Sequence, residues 1–202
     1  MLTIYDLKPR FQNLLRPWVR GLAARGVTPN QITWGAFGLS LLGGLLLAWL
    51  PGERWPLLLV PPLLLVRMGL NAIDGMLARE HDLRSPLGSM LNELGDVVAD
   101  AVLYLPLGLI PGVSGPAAAV FAVLAVVSEL AGVAALQIGA SRRYDGPMGK
   151  SDRAFAIGFI GLLLGLGVAL GFWVSVLLWA LSGLLVWTAV NRVRRALREV
   201  AS

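Results

Sequence analysis

Polar and charged side chains recur between residues 71 and 100, inside segments that are otherwise apolar. Asn71, Asp74 and Ala78 are three and four residues apart, so they share one face of a helix. A second stripe, at intervals of four residues, consists of Gly88, Asn92, Asp96 and Asp100. Because a carboxylate in an apolar span is costly, these residues indicate a functional site.

Two helices that face each other along these stripes would bring several oxygen atoms together. Hard divalent cations such as Mg²⁺ prefer oxygen ligands, and phosphate oxygens often complete their coordination. Gly75 and Gly88 leave space for the close approach of a ligand. Arg79 offers a rigid fork of donors that suits a phosphate. The pattern therefore predicts a site for a metal ion and a phosphate-bearing substrate.

A packing role is the alternative for the same residues. Gly and Ala in membrane helices usually serve helix contacts, and charged residues near helix ends often cap the helix or reach the interface. That explanation suits Arg79 and Arg84. It does not suit Asp74 and Asp96, which lie more than one turn inside apolar segments. The catalytic interpretation is therefore preferred for the pattern as a whole.

The pattern resembles the signature of the CDP-alcohol phosphotransferase family, Asp-x-x-Asp-Gly-x-x-Ala-Arg followed after eight residues by Gly-x-x-x-Asp-x-x-x-Asp. Residues 71–79 read N-A-I-D-G-M-L-A-R here, and residues 88–96 read G-S-M-L-N-E-L-G-D. Two positions differ, because Asn71 and Asn92 stand where the family has its first and third aspartates. Asn keeps a carbonyl oxygen but has no charge. The number of bound metal ions is therefore open.

The resemblance implies an enzyme that transfers a phosphatidyl group from CDP-diacylglycerol to the hydroxyl of a small alcohol and releases CMP. It implies Mg²⁺ or Mn²⁺ as cofactor and a homodimer as the assembly. By correspondence with the signature, Asp96 is the catalytic base. The implied metal ligands are Asp74, Asp96, Asn71 and Asn92, and the implied nucleotide-binding residues are Asp74, Gly75, Ala78, Arg79 and Gly88.

The composition is that of an integral membrane protein. The 202 residues are 56% hydrophobic, and the mean hydropathy is +0.72. The net charge of +5 indicates topology and contact with anionic lipid rather than nucleic acid, because no basic domain stands apart from the apolar segments. The chain contains no Cys, which excludes disulfides and thiolate metal sites.

The predicted fold is all-α, with six transmembrane helices after an N-terminal amphipathic helix. Residues 1–30 form the amphipathic helix and linker, with Trp18 at the membrane interface, and residues 31–202 form the catalytic membrane domain. The predicted spans are 31–50, 55–80, 86–109, 117–140, 152–170 and 173–190. With six spans, every Lys and Arg except Arg54 and Arg67 lies on one side of the membrane. The positive-inside rule places that side, with both termini and the motif, in the cytoplasm.

Depth along the helices follows from a rise of about 1.5 Å per residue. Counting from the turn at residues 81–85 puts Asn71 level with Asp96, and Asp74 level with Asn92. The same count puts Arg67 opposite Asp100, which predicts a buried ion pair. Glu129 falls at about the depth of Asp96, so it is a candidate to compensate for the charges missing at Asn71 and Asn92. A hydrogen-bonded packing role for Glu129 is the equal alternative.

The loop at residues 141–153 carries four cations, and we expect an anion site where it meets the next helix. It resembles the family's Gly-Lys element near the acceptor pocket, which implies Lys150, Arg153 and Arg142 as ligands of an anionic or phosphorylated acceptor. The alternative is that these cations only determine the membrane topology, and this alternative explains Arg142 adequately.

Two other functions remain open at this point. A relative that binds CDP-lipid without turnover is suggested by Asn71 and Asn92. A small transporter would use Arg67, Asp100 and Glu129 as an ion pathway, but such folds usually show repeated halves or interrupted helices, and the sequence shows neither.

Overall fold

The computed structural model describes residues 4–169 and 172–201, with side chains from Arg10 onward. These residues form a succession of helices, which confirms the predicted all-α class. The α-helices in chain order are α1 Ile4–Ala24, α2 Pro29–Trp49, α3 Trp55–Glu80, α4 Pro86–Tyr104, α5 Gly115–Ala134, α6 Lys150–Gly165 and α7 Phe172–Val200. A 3-10 helix at Leu105–Leu109 follows α4, and another at Ala135–Ile138 follows α5.

Four of the described helical segments are long and apolar enough to cross a membrane. They are Pro29–Trp49, Trp55–Glu80, Gly115–Ile138 and Phe172–Val200. Helix α4 differs because it carries Glu93, Asp96 and Asp100, and α6 differs because it has only 16 residues. The count of six spans therefore stays a prediction. The predicted end of the fifth span, Leu170, lies outside the described residues.

Packing divides the chain into two compact units. The first comprises Met1–Leu39 and Leu65–Asp96, and the second comprises Ser40–Leu64 and Val97–Ser202. The first unit contains both halves of the motif from Asn71 to Asp96, so its helices position the candidate site. The domain boundary at residue 30 stays a prediction.

Within the first unit, α1 packs one side of its apolar face on α3. Val19 is fully buried and lies in a cluster with Ile73, Met76 and Leu77. Trp18, in contrast, is 71% exposed on the same helix. Since apolar side chains remain exposed beside this contact, α1 has the amphipathic character that the sequence predicts. Its position at a membrane interface stays a prediction.

The second unit contains a buried network of charges around Arg153. The Arg153 guanidinium is fully buried and donates to Asp100 Oδ2 at 2.9 Å and to Glu129 Oε1 at 3.0 Å. It also donates to the carbonyl oxygen of Met148 at 3.4 Å. Three segments of the unit are joined by this one side chain. A buried cation of this kind is stable only because its donors meet acceptors of opposite charge.

Glu129 is the second centre of the network. Its carboxylate lies within 3.0 Å of Arg153, 3.4 Å of Arg192 and 3.5 Å of Arg142. Arg192 belongs to α7, which continues as helix beyond the predicted end of the sixth span at Val190. The negative charge of Glu129 is therefore neutralised by arginines of its own unit. These ion pairs favour the packing alternative for Glu129, and compensation for the charges missing at Asn71 and Asn92 stays a prediction.

The predicted ion pair between Arg67 and Asp100 would join residues of different units, and it stays a prediction. Within its own unit, Asp100 forms an ion pair with Arg153 at 2.9 Å.

Close helix packing in the second unit depends on Gly44 of α2. A Cβ atom at Gly44 would overlap the backbone carbonyl oxygen of Val102 in α4. Gly38, six residues earlier in α2, has no neighbouring atom within 4 Å of the equivalent position. Small residues that let helix backbones approach are typical of membrane helix contacts.

Replacing Arg153 with Met should destabilise the protein by about 3 kcal/mol, because the buried carboxylates of Asp100 and Glu129 lose their shared cation. The measurement is the thermal unfolding midpoint of the purified protein in detergent. The control is Arg194→Gln, which removes a guanidinium from the exposed face of α7 and should leave the midpoint unchanged. Equal midpoints for Arg153→Met and the wild type would contradict a stabilising role for the network.

Gly44→Ala should lower the same midpoint by several degrees, since the added methyl group meets backbone that cannot move without separating α2 from α4. Gly38→Ala, in the same helix, is the matched control and should have a midpoint equal to or above that of the wild type, because Ala favours helix over Gly. The opposite order of the two variants would be inconsistent with the packing described above.

Candidate functional site

A cavity of about 370 Å³ opens in the first unit, a size that suits a small-molecule ligand. It is lined by the first turns of α2, the C-terminal half of α3, the turn before α4, and the start of α4. The lining residues are Pro29, Asn30, Thr33, Asp74, Gly75, Ala78, Arg79, Leu83, Arg84, Ser85, Gly88, Ser89 and Asn92. Both halves of the motif therefore contribute to one cavity.

Asp74 is the carboxylate of this cavity, and its side chain is held by Thr33. Asp74 is only 6% exposed, and its Oδ2 atom lies 3.0 Å from the Thr33 hydroxyl. That hydroxyl also lies 3.1 Å from the carbonyl oxygen of Pro29. Its single hydrogen bonds more strongly to the charged carboxylate. Thr33 thus fixes the direction in which Asp74 faces the cavity.

Gly75 allows the Arg79 side chain to fold back over the helix. A Cβ atom at Gly75 would lie 3.0 Å from Arg79 Nη2 and 3.2 Å from Nη1. The guanidinium therefore rests against the α-carbon of Gly75, on the cavity wall and exposed to solvent. In this position its planar donors can bind phosphate oxygens.

Gly88 has the same function on the opposite helix. A Cβ atom there would lie 2.6 Å from Asn30 Oδ1 and 3.0 Å from Ser85 Oγ. The Ser85 hydroxyl also accepts the Gly88 backbone N–H at 3.0 Å, which caps the first turn of α4. Absence of a side chain at Gly88 lets these polar groups approach the backbone.

The deeper part of the motif contains a direct link between its two halves. Asn71 Nδ2 donates to Asp96 Oδ1 at 3.0 Å. Arg67, which is 3% exposed, donates to the Asp96 carbonyl oxygen at 3.1 Å and lies 3.6 Å from Asp96 Oδ1. The bond confirms that Asn71 and Asp96 lie at the same level. Neither residue is among the lining of the described cavity, where Asp74 and Asn92 occur instead.

The residues that line the cavity can be tested for their fit to a hard divalent cation. Among the described residues, no group of three or more His, Cys, Asp and Glu side chains converges as a metal cage. The cavity wall nevertheless includes Asp74, which carries a carboxylate, and Asn92, whose amide group contains an oxygen. Mg²⁺ is usually bound through one or two carboxylates together with water and substrate phosphates. The residues present therefore suit a cation that a phosphate-bearing substrate helps to hold.

The loop before α6 is organised by ion pairs. Arg143 bonds Asp145 at 2.8 Å and Glu199 at 2.6 Å, and the Arg142 guanidinium lies 4.4 Å above the Tyr144 ring. Burial raises the pKa of Asp145, but the hydrogen bond from Arg143 and the nearby positive charges outweigh it and hold that pKa below its ordinary value. The loop therefore keeps a fixed, charged structure at neutral pH.

The predicted acceptor ligands differ in their surroundings. Lys150 begins α6 and is partly exposed, and Arg142 is also only partly buried. Arg153 is fully buried with its donors on Asp100, Glu129 and Met148. Its guanidinium is held by protein acceptors, and Arg142 also pairs with Glu129 at 3.5 Å. Lys150 and Arg142 are the more accessible of the three predicted acceptor ligands. At the start of α6, where the sequence predicts an anion site, the backbone N–H of Gly149 donates to Asp152 Oδ2 at 2.9 Å.

Sequence reasoning missed Asn30, Thr33 and Ser85 as parts of the site. All three are small polar residues near a helix start: Asn30 follows Pro29, Thr33 lies one turn further on, and Ser85 precedes Pro86. Thr33 could have been found from the sequence, because a helical projection places it on the same face of α2 as Pro29, one turn away. The sequence alone does not show which other helix packs against this face of α2.

Comparison with known proteins places this geometry in a family context. Residues 26–191 match the model of the CDP-alcohol phosphatidyltransferase family. The inner membrane protein YnbA of Escherichia coli (strain K12) is 44% identical over 197 residues, which is 97% of each chain. An uncharacterized protein of Aquifex aeolicus (strain VF5) is 36% identical over 104 residues, about half of each chain (51% and 50%).

The fold is similar to that of solved structures from Mycobacterium tuberculosis. Its phosphatidylinositol phosphate synthase (PgsA1) with CDP-DAG bound gives a TM-score of 0.73 at 22% identity, over 92% of each chain. The same enzyme in complex with manganese and citrate also gives 0.73, at 21% identity, over 89% of this chain and 87% of that one. At this identity the likeness concerns the fold. Since the family model spans most of the sequence and YnbA is similar along nearly all of it, the chain belongs to the CDP-alcohol phosphatidyltransferase family.

Proposed function

We propose that the protein transfers a phosphatidyl group from CDP-diacylglycerol to the hydroxyl of a small alcohol and releases CMP. The observation that supports this most strongly is the single cavity lined by Asp74, Gly75, Ala78, Arg79, Gly88 and Asn92. These are family signature positions, drawn from two separate segments of the sequence. The solved M. tuberculosis enzyme with CDP-DAG bound is consistent with the same donor.

In the proposed reaction, the acceptor hydroxyl oxygen attacks the phosphorus that carries the diacylglycerol. A P–O bond forms, the P–O bond to CMP breaks, and CMP departs with the electron pair. Asp96 accepts the hydroxyl proton. Arg79 binds phosphate oxygens and stabilises the charge that develops on them. Gly75, Ala78 and Gly88 leave space along the wall for the nucleotide.

Mg²⁺ or Mn²⁺ is the proposed cofactor, with Asp74 and Asn92 as its ligands from the cavity wall. When bound, the cation supplies Lewis-acid neutralisation of the diphosphate and of the departing CMP. The contribution of Thr33 is to keep the Asp74 carboxylate in one orientation through the 3.0 Å hydrogen bond. A preoriented ligand needs no rearrangement when the substrate arrives.

For the acceptor we propose an anionic or phosphorylated alcohol that binds near Lys150 and Arg142. Both residues carry positive charge and are partly accessible. We also propose that α4 and α6 complete six spans, and that the termini and the active site face the cytoplasm of a cell whose inner membrane holds the protein. The proposed homodimer follows from family membership only.

Purified wild-type protein should release CMP from CDP-diacylglycerol when Mg²⁺ or Mn²⁺ and a suitable polyol or polyol phosphate are supplied. Asp96→Asn should lower the rate by about 10²- to 10⁴-fold, because the acceptor proton loses its base. The measurement is CMP release across a panel of acceptors. Asp82→Asn, an exposed carboxylate in the turn before α4, is the control and should retain the wild-type rate.

Two results would contradict the proposal. Saturable binding of CDP-diacylglycerol without CMP release on any acceptor would instead indicate a non-catalytic lipid-binding relative. Release that survives in Asp96→Asn at the wild-type rate would remove Asp96 as the base.

The six-span arrangement can be tested directly, since the chain has no Cys and single-cysteine variants report one position each. His81→Cys, before α4, should react with an impermeant maleimide only after spheroplasts are permeabilised. Val113→Cys, after α4, should react in intact spheroplasts, because α4 would carry the chain across the membrane. Labelling of both positions under the same condition would show that α4 does not cross.

A further inference from the structure

The contact between Asn71 and Asp96 has a defined polarity. The two side chains meet through Asn71 Nδ2 and Asp96 Oδ1 at 3.0 Å. An ionised carboxylate only accepts hydrogen bonds, so the amide must present its NH₂ group and not its oxygen. The nitrogen of an amide is not a ligand for a hard cation. In this arrangement Asn71 therefore acts on Asp96 instead of on a metal ion.

Arg67 strengthens the same effect. Its Nη2 atom bonds the Asp96 carbonyl oxygen at 3.1 Å and lies 3.6 Å from Oδ1. The Arg67 side chain is buried, which makes its charge less screened than at a surface. Asp96 Oδ1 thus faces one neutral donor and one cation. The carboxylate is held in place and its charge is balanced by protein groups alone.

An aspartate at position 71 would change this balance. Two carboxylates at hydrogen-bonding distance repel each other unless a proton or a cation lies between them. With Asn at that position, the pair needs neither. On the cavity side, Asp74 is the carboxylate and Asn92 adds an uncharged oxygen. This donor set neutralises one divalent cation together with a diphosphate, and it is too weakly charged for a pair of them.

We infer that Asn71 is a positioning residue for Asp96, and that the chain binds a single divalent cation, at Asp74 and Asn92. This inference rests on the proposed function, because it assigns the metal and the base of that reaction. It differs from the signature-based expectation that positions 71 and 96 also ligate metal. The hydrogen bond replaces the link that a second cation would otherwise make between the two halves of the motif.

The test counts Mn²⁺ ions bound to the purified full-length protein, from the loss of the free-ion signal in electron paramagnetic resonance. The wild type should bind one ion per chain. Asn71→Ala should still bind one ion with unchanged affinity, while kcat for CMP release falls about 10-fold or more and KM for CDP-diacylglycerol stays the same. The double variant Asn71→Asp, Asn92→Asp should bind two ions. Asn13→Asp adds one negative charge, at an exposed position of α1, and should still bind one.

Two bound ions in the wild type would overturn the inference, and that result does not depend on any variant folding. A clear loss of Mn²⁺ affinity in Asn71→Ala would overturn it as well, since it would identify Asn71 as a ligand. No Mn²⁺ binding in the wild type would reject both this inference and the proposed metal dependence. One bound ion without CMP release on any acceptor would support the inference and reject the proposed activity.

Discussion

The hydrogen bond between Asn71 and Asp96 is the contact on which the arrangement of the motif depends. Helices α3 and α4 each carry polar residues on one face. These residues can form one site only if the two faces are opposite each other and the helices are aligned along their axes. A rotation of either helix by one residue moves each side chain by about 100° around the axis. The 3.0 Å bond fixes that register at the level of Asp96. Asp74 and Asn92 lie about one helical turn closer to the loop between the two helices, and both line the cavity.

Small residues determine what the cavity can hold. Gly75 lets the Arg79 guanidinium lie against the helix backbone, and Gly88 lets Asn30 and Ser85 approach α4. A methyl group at either glycine would push a polar group away from the wall by a few tenths of an ångström or more. Catalytic groups lose efficiency steeply with displacements of about 1 Å. The glycines of the signature are therefore explained by the positions of neighbouring polar atoms, beyond simple helix packing.

The parts of the structure that follow from the periodicity of apolar residues and from the cost of burying a charge could be predicted from the sequence. The helical class, the bounds of α3 at Trp55–Glu80 and the pairing of Asn71 with Asp96 all follow from local spacing. Contacts between segments distant in the chain did not follow. Thr33 and Asp74 are separated by 41 positions, and Arg153 and Asp100 by 53. Which helix faces meet is decided by packing of whole elements, and a single sequence leaves several such arrangements equally consistent with its pattern.

The charge network of the second unit also bears on the transporter alternative. An ion pathway requires buried charges that exchange partners during the cycle. Glu129 lies within 3.5 Å of three arginines, and Arg153 is bonded to two carboxylates and a backbone carbonyl. Separating any of these pairs leaves a buried guanidinium or carboxylate with fewer partners, which costs several kcal/mol. A network of that stability suits a rigid support for helices α5, α6 and α7. Side chains that change position during a reaction are expected instead in the cavity of the first unit, because Arg79 and Arg84 there are exposed.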